Sequence, residues 1–223
     1  LNACVNTTVK NIIFSSTAAV YKEGQYKVSE KSAIKPKSVY GKTKIQAESL
    51  IKNFAKKNKI NYGILRYFNI AGSSSSGKIG LINKNSDHLF KNFSIELMKK
   101  KPKLKIYGTD YNTKDGTCIR DFIHVKDIAS AHTICVRHIL KKNIRNVYNL
   151  GTGKGYSVLE IIQNFQKKLN MNIKVKIASK RSKDPEKLVA NPMLFKKQFN
   201  WKPIHSNIKN IIESEIFWRK MQF

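Results

Sequence analysis

The sequence has no long apolar run and almost no cysteine. A membrane-spanning helix needs roughly 20 apolar residues, and no such stretch occurs in these 223 residues. The first ten residues, LNACVNTTVK, lack the charged start and the apolar stretch of a signal peptide. Three cysteines, Cys4, Cys118 and Cys135, are too few and too far apart for a disulfide framework or a zinc site. We therefore expect a protein of the reducing cytoplasm, with no membrane partner and no metal.

Acidic residues and arginine are also scarce. The chain has 43 Lys and Arg against 14 Asp and Glu, a formal net charge of +29, and only six arginines. Such a charge is typical of nucleic-acid-binding proteins, but surfaces that read bases favour the planar fork of arginine. Here lysine is spread through nearly every segment beside abundant isoleucine and asparagine, as an AT-rich genome would encode. We expect a solvated basic surface with nonspecific affinity for nucleic acid at low salt and no specific nucleic-acid partner.

What the chain does contain is a regular alternation of short apolar runs and amphipathic stretches. We expect strands near 11–16, 62–68, 104–108, 118–125, 146–151 and 173–178, helices near 38–58, 88–100, 126–140, 157–169, 192–199 and 206–221, and polar loops at 22–37 and 70–86. The first strand, first helix and second strand form a βαβ unit, which indicates an α/β fold with a parallel sheet.

One short stretch, SVYGKTK at 38–44, places Tyr40 and Lys44 four residues apart near the start of the first helix. Ser38 is the expected N-cap, so Tyr40 belongs to the first turn and Lys44 lies one turn later on the same face. An ammonium beside a phenol favours the phenolate, and tyrosines tuned in this way act as general acids and bases. Because this spacing is common by chance, a simple surface contact is the alternative for the pair taken alone.

Polar side chains stand at the ends of the two flanking strands. Ser15, Ser16 and Thr17 end the first strand, and Phe68 and Asn69 lie at the end of the second. Ligands of open α/β sheets bind at the carboxyl ends of the strands, where hydroxyls can bond a sugar or an alcohol. This setting favours chemistry over a surface contact for Tyr40 and Lys44.

Five segments, taken in order, resemble the UDP-glucose 4-epimerases of the extended short-chain dehydrogenase/reductase superfamily. They read FSSTAAVY, SVYGKTK, LRYFNIAG, YNTKDGTCIRDFIHVKDIASAH and YNLGTGKGYSVLEI. The YxxxK spacing marks only the superfamily, whereas DGTCIRDFIHV together with NLGTGKGYSVLE is specific to the epimerases and their nearest relatives. The resemblance covers nearly the whole chain. It implies a Rossmann-like, doubly wound parallel sheet with a smaller C-terminal α/β substrate domain.

The resemblance also implies a division of the chain. Residues 1–72 would be the C-terminal part of an NAD-binding domain, and residues 73–223 would mainly bind UDP-sugar, with 118–151 returning partly to the first sheet. The family's glycine-rich NAD turn and its acidic ribose ligand would precede Leu1, so about a hundred residues are expected to be missing. The GTGKG at 151–155 is no substitute, because it follows a late strand and has the wrong spacing.

We expect three consequences of this truncation. The sheet lacks its N-terminal strands and has an exposed edge, and the chain alone does not hold NAD and is inactive. The full-length protein is expected to be a homodimer formed through helices around 38–57 and 87–100, as is typical of the family.

The activity implied by the resemblance is reversible, NAD-dependent epimerisation of UDP-galactose and UDP-glucose at C4 through a 4-keto sugar. Tyr40 would move the proton of the sugar 4-hydroxyl, Lys44 would hold the nicotinamide ribose, and Thr17 would bond the sugar O4. Contacts to NAD are expected from Tyr40, Lys44, Ser15, Ser16 and Phe68. Contacts to the UDP-hexose are expected from Thr17, Asn69, His88, Leu89, Tyr107, Arg120, Arg181 and Asp184.

Other enzymes of the superfamily remain open. A dehydratase needs an Asp–Glu pair directly after the Ser/Thr motif, where this chain has Ala18 and Ala19. Leu188 occupies the position whose bulk admits or excludes N-acetylated sugars, so an epimerase of UDP-GlcNAc and UDP-GalNAc is a second possibility.

Two positions depart from the family pattern. Lys22 replaces a usual glycine, and Phe122 replaces a common tyrosine.

From a different class, the chain could be a non-catalytic nucleotide-sugar-binding protein, which the presence of both Tyr40 and Lys44 disfavours.

Overall fold

The computed structural model describes residues 1–83, 86–181 and 184–222, so Lys84 and Asn85 of the predicted 70–86 loop lie outside it. The described strands are β1 (Asn11–Thr17), β2 (Lys27–Val28), β3 (Asn61–Tyr67), β4 (Asn69–Ala71), β5 (Lys103–Tyr107), β6 (Ile119–His124), β7 (Arg145–Leu150), β8 (Gly155–Ser157), β9 (Lys174–Ala178) and β10 (Lys187–Ala190). The described α-helices are α1 (Asn2–Val5), α2 (Val39–Asn58), α3 (Leu89–Leu97), α4 (Val125–Ile139), α5 (Val158–Leu169), α6 (Met193–Phe199) and α7 (Ile208–Lys220), and a 3₁₀ turn spans Ala18–Val20.

The first sheet is parallel, in the order β1-β3-β7. Strand β1 passes through α2 into β3, which confirms the predicted βαβ unit and the α/β class. Ser15 stands opposite Leu65, and Leu65 stands opposite Tyr148. Among the described residues β1 pairs only with β3, so the outer edge of β1 carries no neighbouring strand.

The chain changes sheets directly after β3. Strand β4 begins at Asn69 and pairs with β6 in a second sheet of order β2-β10-β6-β4, and β8 joins β6 in antiparallel fashion. The sequence pattern predicts a single strand through Phe68. In the structure β3 ends at Tyr67, and Phe68 connects β3 of the first sheet to β4 of the second. Asn69 is thereby placed at the junction of the two sheets. Strands β5 and β9 form a separate parallel pair.

Two of the three apolar clusters in the described structure are the largest. One lies under β3, β6 and β7 and is covered by α4 and α6, with Leu65, Tyr148 and Phe195 fully buried. The other joins α3, α5 and α7, where Phe165 meets both Phe90 and Phe93. Fully burying a side chain of this size contributes roughly 1.5–3 kcal/mol, so each core can hold its half of the site rigidly.

Helix α2 starts as the sequence predicts. Ser38 is its N-cap, and the Ser38 hydroxyl accepts a hydrogen bond from the Gly41 N–H at 3.0 Å. The helix ends at Asn58, and Lys59 is its C-cap residue in a left-handed conformation with φ of 53°. Tyr40 is therefore in the first turn. No helix in the part of the chain that the structure describes is long and apolar enough to cross a membrane.

Candidate functional site

Tyr40 and Lys44 lie together at the carboxyl end of β1. The Lys44 ammonium is 5.6 Å from the centre of the Tyr40 ring and 4.9 Å from that of Phe14. It donates a hydrogen bond to the Ser15 carbonyl at 2.9 Å, which fixes α2 against the end of the strand. The Tyr40 side chain is 55% exposed. The phenol is thus open to a ligand, with a cation held close to it.

The three hydroxyls that end β1 point to different partners. The Ser15 hydroxyl bonds the Tyr67 hydroxyl at 2.8 Å, and Ser15 is exposed. Ser16 faces the opposite way, is buried, and donates to Glu48 at 2.6 Å. The Thr17 hydroxyl accepts from the Ala19 N–H at 3.1 Å and caps the 3₁₀ turn. The alternation of a strand explains this pattern, since successive side chains point to opposite faces.

Tyr67 is a site residue that sequence reasoning missed. Its hydroxyl also lies 2.5 Å from His132 Nε2, and the other ring nitrogen of His132 is 2.9 Å from the Ile128 carbonyl. Burial raises the pKa of Tyr67, an effect that the bond to Ser15 partly offsets. The motif LRYFNIAG contains this tyrosine, and its position at the end of β3 was the available signal.

A cavity of about 550 Å³, here called the Tyr40 cavity, opens beside these residues. Its lining brings together Thr17, Tyr40, Phe68, Asn69 and Leu188. Four of these five were predicted to contact a ligand, and the fifth, Leu188, was expected to limit the size of the sugar. Ala18, Ala19 and Lys22 also line it.

A second cavity of about 620 Å³, here called the Tyr107 cavity, adjoins the first. The two share Asn69, His88, Arg120 and Asp184 in their walls, so they form one continuous groove. Leu89, Tyr107 and Arg181, which were predicted to contact the substrate, also line the Tyr107 cavity. Lys105, Cys118 and Phe122 line it without having been predicted to do so. All the residues predicted to contact substrate therefore line one of the two cavities.

Arg120 lies where the two cavities meet and is the strongest sign of an anionic ligand. It is about nine-tenths buried, and its Nη1 donates to the Ile119 carbonyl at 2.8 Å. Its Nη2 has no hydrogen-bond partner within the described ranges, and the nearest carboxylate oxygen, on Asp184, is 3.9 Å away. A buried guanidinium with an unpaired donor is costly. A phosphate oxygen would satisfy it.

Arg181 and Lys105 frame the aromatic ring at the far end of the groove. The guanidinium of Arg181 lies 4.1 Å from the centre of the Tyr107 ring, and the Lys105 ammonium lies 4.8 Å from it. Arg181 lowers the pKa of Tyr107; burial acts against it, and Lys105 acts in the same direction as Arg181. This end of the groove offers a flat ring with positive charge around it, which suits a planar base next to phosphate.

The amino end of α3 points into the same groove. His88 is the N-cap residue, its side chain makes no capping hydrogen bond, and Leu89 is the first helical residue. The first N–H groups of a helix have no partner within the helix and attract anions. The predicted pair His88 and Leu89 lines the Tyr107 cavity together with Arg181.

Two further buried groups, Glu48 and Arg66, went unnoticed in the sequence. They form a bidentate ion pair between α2 and β3, with contacts of 2.9 Å and 2.7 Å. Glu48 follows Lys44 by one helical turn, so a carboxylate on the inward face of α2 was the signal that could have found it.

Comparison with known proteins agrees with this geometry. The model of the NAD dependent epimerase/dehydratase family matches residues 1–151. The chain belongs to this family. The match covers the first sheet, α2 with Tyr40 and Lys44, and the Arg120 motif.

Curated relatives extend the similarity to nearly the whole chain. A UDP-glucose 4-epimerase of Lactobacillus helveticus is 37% identical over 221 residues, 99% of this chain and 67% of its own length. UDP-arabinose 4-epimerase 1 of Arabidopsis thaliana is 34% identical over 218 residues, 96% of this chain and 52% of its own length. The chain thus spans between half and two thirds of the length of these relatives.

A solved structure confirms the fold. UDP-glucose-4-epimerase from Stenotrophomonas maltophila, with bound NAD and formylated UDP-arabinopyranose, superimposes with a TM-score of 0.94 at 30% identity. The superposition covers 99% of this chain and 66% of that one.

Proposed function

We propose that the full-length protein epimerises UDP-galactose and UDP-glucose at C4, reversibly and with NAD. The observation that carries this proposal is the single groove in which Tyr40, with the Lys44 ammonium beside it, opens toward Arg120 and its unpaired donor. A sugar with its 4-hydroxyl at Tyr40 would then carry its diphosphate at Arg120 and its base at Tyr107.

The residues present fit the nicotinamide ribose. The only hydrogen bond of Lys44 within the part of the chain described goes to Ser15, which leaves two of its three N–H bonds for ribose hydroxyls. Phe68 lines the Tyr40 cavity, whereas the hydroxyl of Ser15 is bonded to Tyr67 and that of Ser16 to Glu48. When bound, NAD supplies the acceptor and donor of hydride at C4.

The protein side chains supply the proton transfer. Tyr40 takes the proton of the 4-hydroxyl as the sugar is oxidised to the 4-ketone and returns it when C4 is reduced from the other face. Lys44 stabilises the phenolate, and Thr17 and Asn69 hold the sugar at the rim of the cavity. Ala18 and Ala19 line this cavity without a carboxylate, so elimination of water is not supported.

The identity of the hexose is the finer part of the proposal. The curated relative from Lactobacillus helveticus is named for UDP-glucose. The structure from Stenotrophomonas maltophila carries an arabinopyranose derivative, and the Arabidopsis relative is named for UDP-arabinose. Leu188, a side chain of intermediate size, lines the Tyr40 cavity and leaves both hexoses and N-acetylated hexoses open as substrates.

Assembly into a homodimer belongs to the same proposal. Helix α2 exposes Leu50 and Val39, which supports a role for this helix in self-association. Helix α3 buries its large apolar side chains in the core of the chain, so we expect α2 to provide most of the apolar contact.

The test is turnover of UDP-galactose by the full-length protein, followed as formation of UDP-glucose. Replacing Tyr40 with Phe should lower kcat by about a hundredfold or more, because a positioned acid/base contributes 10²–10⁴. Tyr26→Phe, at an exposed tyrosine outside both cavities, is the matched control and should keep full activity. Active Tyr40→Phe protein, or no conversion of UDP-galactose by the wild type with NAD bound, would contradict the proposal.

A further inference from the structure

Two buried trios of the same composition lie behind the groove, each made of a serine, a glutamate and an arginine. The first, here called the α2 trio, is Ser16, Glu48 and Arg66. The second, here called the α7 trio, is Ser94, Glu215 and Arg219. All six residues are at most 5% exposed, and none of them except Ser16 lines either cavity. Buried ion pairs of this kind contribute little net stability, which raises the question of what they fix.

The α2 trio joins the helix that carries Tyr40 and Lys44 to the strand that carries Thr17. Glu48 receives the Ser16 hydroxyl at 2.6 Å on one oxygen and Arg66 at 2.7 Å on the other. Ser16 is the residue directly before Thr17, and Glu48 stands one turn after Lys44. A shift of α2 along β1 would break the Ser16 contact. The trio therefore fixes how far Tyr40 lies from Thr17.

The same arginine extends the connection to the cavity wall. Arg66 Nη1 donates to the Tyr21 hydroxyl at 3.0 Å, and Tyr21 donates to Asn149 at 2.6 Å. Tyr21 directly follows the 3₁₀ turn and lines the Tyr40 cavity. Burial raises the pKa of Tyr21, although Arg66 acts in the opposite direction, so the phenol stays a neutral donor.

The α7 trio fixes a different part of the groove. Arg219 donates to Ser94 at 2.9 Å and to Glu215 at 3.2 Å, so α3 is tied to α7. Arg219 Nη2 also donates to the Leu81 carbonyl at 2.9 Å. The position of the α3 amino end, and so of His88 and Leu89 in the Tyr107 cavity, depends on this trio.

We propose that Glu48 is a positioning residue for the chemical step and Glu215 a positioning residue for nucleotide binding. Both halves of the inference rest on the proposed function. Glu48 sets the distance between Tyr40 and the strand-end hydroxyl Thr17. Glu215 sets the approach of the α3 amino end to the diphosphate. Neither carboxylate touches the ligand.

The test compares Glu48→Gln with Glu215→Gln in the full-length protein. For Glu48→Gln we expect kcat to fall about tenfold, because misplacement by 1 Å at a reacting centre costs up to about a hundredfold. The affinity for UDP should stay within about twofold. For Glu215→Gln we expect UDP to bind about tenfold more weakly, a loss of about 1.4 kcal/mol, with kcat within about threefold of wild type.

The controls separate positioning from general loss of structure. Asp127→Asn changes another buried carboxylate, which accepts hydrogen bonds from His205 and Ser206 and lies outside both cavities. This variant should change neither kcat nor UDP affinity. If Glu48→Gln does not fold, Ser16→Ala removes only the contact to β1 and should lower kcat in the same direction. Equal effects of both glutamate variants on kcat and on UDP affinity, or wild-type values for both, would overturn the inference.

Failure of the proposed function would be visible separately. If the wild type does not convert UDP-galactose, the affinities for NAD and UDP still carry the test. Glu48→Gln should then weaken the binding of NAD, through Lys44, and leave the affinity for UDP unchanged. Glu215→Gln should weaken the binding of UDP and leave the affinity for NAD unchanged. Any other pattern of the two affinities would overturn the inference.

Discussion

Arg120 is the residue whose surroundings decide what the groove can bind. Its buried Nη2 has no partner in the described ranges, while Asp184 and Arg181 stand across the same cavity. Hydrogen bonds to charged groups contribute about 1.5–3 kcal/mol. The ligand therefore gains most where it places an anionic oxygen against this guanidinium.

Replacing Arg120 with Gln should weaken the binding of UDP by about tenfold to a hundredfold, which is the equivalent of that hydrogen-bond energy. Calorimetric titration of UDP into the full-length protein measures the change. Arg137→Gln, at an exposed arginine of α4, is the matched control. Unchanged UDP affinity in Arg120→Gln would show that the diphosphate lies elsewhere.

At this scale the sequence predicted contacts better than orientations. Of the residues expected at the ends of β1 and β3, Ser16, Thr17, Phe68 and Asn69 line the groove and Ser15 does not. Motif and strand position determine which end of the sheet they occupy. The direction of the Ser16 hydroxyl depends on Glu48, thirty-two residues away. The place of Tyr67 depends on His132 of α4. Such partners come from tertiary packing, which a single sequence pattern does not contain.

Helix α2 is the element on which the account depends most, and Gly41 sets its approach to β1. A Cβ built on Gly41 would lie 2.4 Å from the Ala19 carbonyl oxygen. Glycine is normally unfavourable within a helix by roughly 1 kcal/mol relative to alanine. Here the close approach to the 3₁₀ turn outweighs that preference.

Gly41→Ala should therefore lower the free energy of unfolding by about 1–3 kcal/mol, the usual cost of overpacking, and should reduce turnover by displacing Tyr40. Denaturant unfolding measures the first effect. Ser49→Ala, at an exposed position on the same helix, should be neutral or slightly stabilising. A higher free energy of unfolding for Gly41→Ala than for the wild type would contradict the close approach of Gly41 to the Ala19 carbonyl.

Helix α4 has a pH-dependent cap. His124 is its N-cap residue and accepts the Lys126 N–H at Nδ1, while Nε2 lies 3.0 Å from the Ser214 hydroxyl. Burial lowers the pKa of His124 from 6.5 to about 4. The folded state therefore binds the proton less readily than the unfolded state. The stabilising contribution is complete above about pH 6.5 and is lost as the pH falls toward 4.

His124→Asn keeps a capping oxygen without this titration. We expect the wild type to lose about 2–3 kcal/mol more stability than the variant between pH 7 and pH 4, from 1.36 kcal/mol per pKa unit. Denaturant unfolding at a series of pH values gives the difference. Parallel curves for the two proteins would exclude the cap as the cause.

Long elements were predicted well and short ones were not. Helix α2 and strands β1, β3, β6 and β7 follow their periodic patterns closely. The strands β2, β4, β8 and β10 have two to four residues each, too few for a period to be visible. Strands β4, β8 and β10 pair with β6, and β2 pairs with β10. The transfer between sheets at Phe68 escaped prediction for the same reason.

At the scale of the whole molecule, the groove runs from the first sheet to the helices of the second half. The division at about residue 72 remains a prediction, as do the individual site roles. Membership of the family and the α/β fold are confirmed by the family match and by the superposition. The basic surface has 37 lysines among 43 basic residues, and the absence of a specific nucleic-acid partner remains a prediction.

The central claim is that hydrogen leaves C4 of the sugar and returns to the opposite face of the same carbon while Tyr40 moves only the hydroxyl proton. The most direct measurement is conversion of UDP-galactose carrying deuterium at C4 by the full-length protein in ordinary water. We predict UDP-glucose that keeps its deuterium at C4, formed at least about a hundredfold more slowly by Tyr40→Phe. Product in which C4 carries hydrogen from water would contradict it, because the hydrogen at C4 would then have left as a proton.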